Sequence, residues 1–230
     1  MNSQKQNPIK VLIVFYSLSA QTSGLVHRLA SGLADQGIGV VMERLKPLEP
    51  LKFPLGSIPA TLSMMFSTFL RRRIAIEALS PACWQKYDLL IVAGPTWSYN
   101  PSGPILSMLE RDGAQLFAGK KVVPLISCRG YWRTHWFGLR RLLQQKGAEV
   151  LNKIVFTHPS REPWRTIGVF LKLAGKMPEK AWLIGRYYQH FGHAKAQKEE
   201  AYSFGVEMGK ALQAAAPLAD LDLHSKITLE

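Results

Sequence analysis

The chain has 230 residues, 47% of them hydrophobic, with 29 Lys and Arg against 16 Asp and Glu, a formal net charge of +13. This length and apolar fraction exclude a disordered chain and suffice for one α/β domain with a substantial core. Cys83 and Cys128 are too few for a disulfide framework and lack metal-ligand spacing, and no apolar stretch approaches the ~20 residues needed to cross a bilayer. Met1 to Pro8 is polar without a hydrophobic signal segment, which predicts a cytoplasmic protein.

In chain order, Lys10 to Tyr16 predicts strand one, an apolar run suited to burial on both faces of a parallel sheet. A helix follows from Thr22 to about Gln36, ending at Gly37, with Leu25, Val26, Leu29, Ala30 and Leu33 at helical spacing. Ile38 to Leu45 predicts strand two and Asp88 to Gly94 strand three, followed by a helix from about Gly103 to Arg111. Lys121 to Ser127 predicts strand four, with a helix from about Thr134 to Lys146 stopped by Gly147. Glu149 to Thr157 predicts strand five, and a long helix runs from about Ala194 to Ala216. Strands separated by single helices imply right-handed crossovers and a parallel sheet, with ligand beyond the strands' carboxyl ends.

Two loops leave the strands at the expected switch point. After strand one comes Tyr16-Ser17-Leu18-Ser19-Ala20-Gln21-Thr22, whose hydroxyls surround a helix start with unpaired amides, a setting that suits a phosphate. Serines acting only as helix caps would look the same. After strand three comes Pro95-Thr96-Trp97-Ser98-Tyr99-Asn100-Pro101, a Pro-rich turn with two aromatics. No Gly-x-Gly-x-x-Gly follows strand one, so a dinucleotide Rossmann site is not supported.

These loops resemble those of the flavodoxin family, including its FMN-dependent NAD(P)H:quinone oxidoreductase-like members. The first family loop, Ser/Thr-x-Ser/Thr-x-x-Thr, holds the FMN phosphate; the chain departs from many members at Ala20, where they carry Gly. The resemblance implies a flavodoxin-like three-layer α/β sandwich with a five-stranded parallel sheet in the order 2-1-3-4-5. It implies that Ser17, Ser19, Ala20, Gln21 and Thr22 cradle phosphate. Pro95, Thr96, Trp97, Ser98, Tyr99 and Asn100 would bind the ring, with Asn100 at a ring edge. Ser127, Gly130 and Tyr131, in the less specific loop after strand four, would close the other side, Gly130 letting the backbone approach. The implied activity is an FMN-dependent oxidoreductase taking hydride from NAD(P)H and reducing a quinone-like or other conjugated small-molecule acceptor. His135 and His158 follow strands four and five, but each is as readily a cap or bridge as a proton donor, and no catalytic or metal-binding residue is assigned.

The resemblance covers roughly residues 9–45, 87–157 and 194–215 of what reads as one domain, 1–230. It leaves two helical insertions, at about 46–86 and 160–193. The first offers Leu62, Met65, Phe66, Phe69 and Leu70 at helical spacing, then Arg71-Arg72-Arg73. The second carries Trp164, Phe170, Trp182, Tyr187, Tyr188 and Phe191 among lysines and Arg186. Three uses stay open: packing over the sheet or each other, a lid or homodimer interface near the cofactor, or peripheral contact with an anionic membrane. The basic balance disfavours an acidic-type electron shuttle and favours anionic ligands. Nucleic acid is disfavoured because no zinc-finger spacing, RNP motif or basic recognition helix is present. A non-catalytic flavodoxin-like module that binds a membrane or protein through its basic insertions is the alternative.

Overall fold

The computed structural model describes residues 8–188 and 191–227. Residues 1–7, most of the polar stretch read for a signal segment, lie outside the described residues. Among the described residues no helix is long and apolar enough to cross a membrane.

The expected parallel sheet forms. Strands β1 (Lys10–Phe15), β2 (Gly39–Arg44), β3 (Leu89–Trp97), β4 (Asn100–Pro101), β5 (Lys121–Cys128), β6 (Glu149–Val150) and β7 (Ile154–Thr157) make one seven-stranded sheet. Its main path runs β2-β1-β3-β5, with β6 and β7 both parallel to β5. Five positions in the order 2-1-3-4-5 are therefore present, but the fifth is broken and β4 adds a short antiparallel ribbon to β3. The break has a local cause. Asn152 turns its side-chain amide to the carbonyls of Leu218 and Leu221 and accepts from the N–H of Lys153, so that stretch cannot stay on the ladder.

Side-chain alternation along the strands builds a core on each face. Val11, Ile13 and Phe15 of β1 point to one core, with Leu89, Ile91 and Ala93 of β3. Helices α1 (Gln21–Asp35) and α7 (Lys195–Gln213) supply Leu25, Leu29, Leu33, Phe204 and Met208 to it. The in-between residues Leu12, Val14, Leu90 and Val92 face the second core. This is covered by α3 (Gly103–Arg111), α4 (Gly113–Phe117) and α5 (Trp132–Gln145), through Met108, Leu109, Phe117, Leu139 and Leu143. Helices α1 and α7 touch backbone to backbone. A Cβ on Gly32 would lie 2.1 Å from the Tyr202 carbonyl oxygen, and one on Gly205 would lie 2.2 Å from that of Leu29. Only glycine fits either place.

The first insertion contains α2 (Ile58–Phe69), started by Ser57, whose hydroxyl accepts from the Ala60 N–H at 3.3 Å. Its apolar residues do not pack on the sheet as one of the three readings had it. Phe66 is 67% exposed and Phe69 60%, while the residues the helix buries are Thr61 and Thr68. The helix sits with its hydroxyl side down and much of its apolar surface outward.

The second insertion contains α6 (Trp164–Leu173) and packs more fully. Tyr188 is completely buried, its ring stacked on His158 at 5.1 Å between centroids and lying against Gly168, where a Cβ would sit 2.3 Å from the ring. The insertions are joined by the Leu55 N–H, which donates to the Leu173 carbonyl at 2.8 Å. Packing of the insertions on each other is thus found, and packing of α2's apolar face on the sheet is not.

Candidate functional site

The first loop leaves β1 where that strand pairs with both β2 and β3, the topological switch point of such a sheet. Ala20 stands in the left-handed region at φ 60°, so the chain adopts there a conformation that ordinarily favours glycine. Among the described residues no hydrogen bond occupies the backbone N–H groups of Leu18, Ser19, Ala20, Gln21 and Thr22. Ser17 is buried and its hydroxyl accepts from the Ser23 N–H at 3.2 Å, which ties the loop to α1. Thr22 is buried and Ser19 half-buried. The Gln21 side chain turns away from the loop, accepting from the His193 N–H at 3.0 Å.

The second loop is a two-residue hairpin turn. Trp97 pairs with Asn100, and Ser98 and Tyr99 between them both have positive φ, 44° and 69°. Turns of this kind normally use Asn-Gly, so the pair is strained and needs outside support. Helix α2 supplies it. The Ser98 and Thr68 hydroxyls are 2.8 Å apart, and both reach the Met65 carbonyl. Asn100 is buried and donates to the carbonyls of Thr68, Phe69 and Ser98, while its Oδ1 accepts from Arg71 Nε at 2.8 Å. The expectation that Asn100 bonds a ring edge is therefore corrected: its side chain closes the end of α2. Trp97 meets Tyr16 edge to face at 5.6 Å, and Tyr99 stays 41% exposed, edge-on to Tyr131 at 5.7 Å. Arg71 and Arg73 are also engaged, Arg73 with Glu110 at 2.9 Å, so the arginine run is not a wholly solvated patch.

The third loop follows β5. The Ser127 hydroxyl lies 2.7 Å from His193 Nε2, and His193 Nδ1 lies 3.3 Å from Gln197 Oε1. Burial holds His193 down to about 4, so its imidazole is neutral near pH 7. His135 is also buried, its Nδ1 2.6 Å from the Thr96 hydroxyl, and burial holds it down to about 3. His135 thus orients Thr96. Gly130 also gives room to a side chain: a Cβ there would lie 2.6 Å from the Arg165 guanidinium, so its bareness admits Arg165. Burial pushes the Cys128 thiol up to about 12, which makes it an inert strand-end residue at neutral pH.

Two neighbouring cavities lie over these loops. The smaller, about 160 Å³, is bordered by Ser17, Ser19, Gln21, Thr22, Pro95, Ser127 and His193 among others. The larger, about 410 Å³, is bordered by Ser98, Tyr99, Gly130, Tyr131 and by residues of both insertions. Thr96, Trp97, Cys128, Arg129, Val169 and Leu173 border both. The larger volume falls in the range of small-molecule sites, and the smaller one has room for a compact group such as a phosphate. Every expected site residue except Ala20 and Asn100 borders one cavity or the other. The Ala20 amide is unpaired.

Sequence reading kept a lid near the cofactor as one of three uses of the insertions but missed which residues would form its walls. Met64, Met65, Phe66 and Phe69 of α2, with Val169, Phe170 and Leu173 of α6, border the larger cavity. Their helical spacing marks an apolar face but does not say what the face covers. His193 and Arg129 were missed as well. Arg129 stands in the loop that was read, and it borders both cavities.

The fold is flavodoxin-like, with the strand order that defines that doubly wound arrangement. No family model matches the sequence, and no curated protein matches it. Solved structures do. The flavodiiron protein from Giardia intestinalis is 16% identical over 89% of this chain and 36% of that one, with a TM-score of 0.51. Rubredoxin oxygen:oxidoreductase from Desulfovibrio gigas is 14% identical over 91% of this chain and 38% of that one, with a TM-score of 0.50. A flavodoxin from the domain Archaea is 11% identical over 89% of this chain and 99% of that one, with a TM-score of 0.48. At such identities the first two likenesses establish the fold alone.

Proposed function

We propose that this chain binds FMN and acts as an oxidoreductase, taking electrons from NAD(P)H and passing them to a quinone-like or other conjugated acceptor. The carrying observation is the run of unpaired amides from Leu18 to Thr22 beside a phosphate-sized cavity that adjoins a larger apolar one. Free helix-start amides stabilise an anion. In this reading the amides and hydroxyls around Ser19 and Thr22 hold the phosphate. Trp97, Tyr99 and Tyr131 supply aromatic faces for a ring. FMN when bound supplies the hydride and electron transfer; the protein supplies binding, orientation and the exclusion of water. The excess of basic residues supports a donor that carries phosphates.

Purified protein should absorb in the flavin bands and release FMN on denaturation, and should oxidise NAD(P)H in the presence of a quinone. Colourless protein that fails to take up added FMN overturns the reading.

The exposed apolar side of α2 favours a second reading, in which the module docks on an anionic membrane or a partner protein without catalysis. Flavin uptake separates the two.

A further inference from the structure

We infer that the larger cavity takes, beside the ring it holds in the oxidoreductase reading, an acceptor with an apolar body and one acidic group, and that Arg129 recognises the acid. The inference rests on the oxidoreductase reading and specifies its acceptor.

The walls fix the body of such a ligand. Met64, Met65, Phe66, Phe69, Val169, Phe170 and Leu173 offer no charge and few hydrogen bonds, so they suit a flat or extended apolar skeleton. Into this setting the third loop brings a single cation. Arg129 borders both cavities, its Nε is fully buried, and no hydrogen bond satisfies that nitrogen. Among the described residues its side chain has no ion pair; the Tyr131 ring lies 5.5 Å from the guanidinium carbon, and its charge is also felt by the neutral Cys128 thiol.

The neighbouring cations differ. Arg165 is paired with Glu162, and Lys172 with Glu179. Among the described residues no Asp or Glu borders either cavity. A guanidinium with no hydrogen-bond partner and no counter-charge among the described residues is a site for an anion, which its outer nitrogens would meet, and its planar fork suits a carboxylate or phosphate. The cavity walls require the rest of that ligand to be apolar. The anion has two candidate sources: an acid group on the acceptor, which we infer, or the phosphate of the cofactor.

The test uses FMN-loaded protein and two probes, anthraquinone-2-carboxylate and anthraquinone-2-carboxamide, which share a skeleton and differ in charge. Binding is read by calorimetry and by KM for NAD(P)H-driven reduction. Wild-type protein should bind the carboxylate at least tenfold more tightly. Arg129→Gln should abolish that preference while FMN affinity stays within threefold, and Arg129→Lys should retain part of it. Equal binding of the two probes by wild type, which needs no variant to fold, overturns the inference. So does a preference that survives in Arg129→Gln. A tenfold loss of FMN affinity in Arg129→Gln, with riboflavin affinity unchanged, assigns the anion to the cofactor phosphate and likewise overturns it. Calorimetry on flavin-free protein separates the two levels: a carboxylate preference in protein that takes up no FMN retains the Arg129 site and removes the flavin reading.

Discussion

Arg71 Nε donates to Asn100 Oδ1 at 2.8 Å, and through that contact the end of α2 is locked onto the strained Ser98-Tyr99 turn. Asn100 also donates to the Thr68 and Phe69 carbonyls at the end of α2, of which Thr68 accepts from the Arg71 N–H as well. Asn100→Ala leaves the Phe69 carbonyl and Arg71 Nε without these partners, while the Thr68 carbonyl keeps the Arg71 N–H at 3.0 Å. Denaturant melts should show a loss of about 1–3 kcal/mol, and limited proteolysis should cut between residues 57 and 73 before the rest of the chain.

The phosphate loop gives a binding prediction. Ser19→Ala with Thr22→Ala removes two hydroxyls beside the smaller cavity, each worth about 1.5–3 kcal/mol when bonded to a charged group. FMN affinity should fall at least about tenfold, one decade per 1.4 kcal/mol, with the fold intact. Unchanged FMN affinity in that double variant would falsify the loop's assignment.

Ala20 offers a gain. It holds φ 60°, where a Cβ costs roughly 1 kcal/mol that glycine does not. Ala20→Gly should therefore raise stability by up to about 1 kcal/mol and leave FMN binding intact. A melting temperature that falls counts against the strain.

The two buried histidines make stability pH-dependent in a definite direction. Burial lowers His135 to about 3 and His193 to about 4, whereas both titrate near 6.5 when unfolded. Between those values the unfolded chain binds protons that the folded chain refuses. Stability is fully present above about 6.5 and is lost as pH falls, by about 1.4 kcal/mol per unit for each histidine. Denaturant midpoints between pH 6.5 and 4.5 should show this slope, and His193→Gln should reduce it. An identical slope in the variant would mean that His193 is charged in the fold.

Phe66 tests the apolar side of α2. Being 67% exposed, Phe66→Ala should change stability by no more than about 0.5 kcal/mol. If α2 touches an anionic bilayer, Phe66→Ser with Phe69→Ser should abolish sedimentation with phosphatidylglycerol vesicles. Wild-type protein that does not sediment with them ends the membrane reading.

The sheet was legible because apolar runs such as Val11 to Phe15 have one physical use, burial between two helical layers. Single-helix crossovers implied only that the sheet is parallel; its strand order was implied by the resemblance of the two loops. The break in the fifth strand was not legible, because it depends on Asn152 meeting carbonyls of Leu218 and Leu221 that are far away in sequence. Asn100 was read by its loop, yet its partners lie about thirty positions earlier in an insertion with no family pattern. Gly130 was read as room for a ring, and its bareness also admits Arg165, more than thirty positions later. In each case the local residue type was informative and the distant partner decided its use. Periodicity likewise identified α2 as amphipathic but could not say which side would face water.

The contact at Gly32 and Gly205 has a consequence for sequence comparison. Each glycine's missing side chain is filled by the backbone of the other's helix, so the two positions form one unit. A larger residue at either should appear in relatives only where α1 and α7 have moved apart. The pair is thus a marker for telling chains with this helix crossing from chains that share only the sheet.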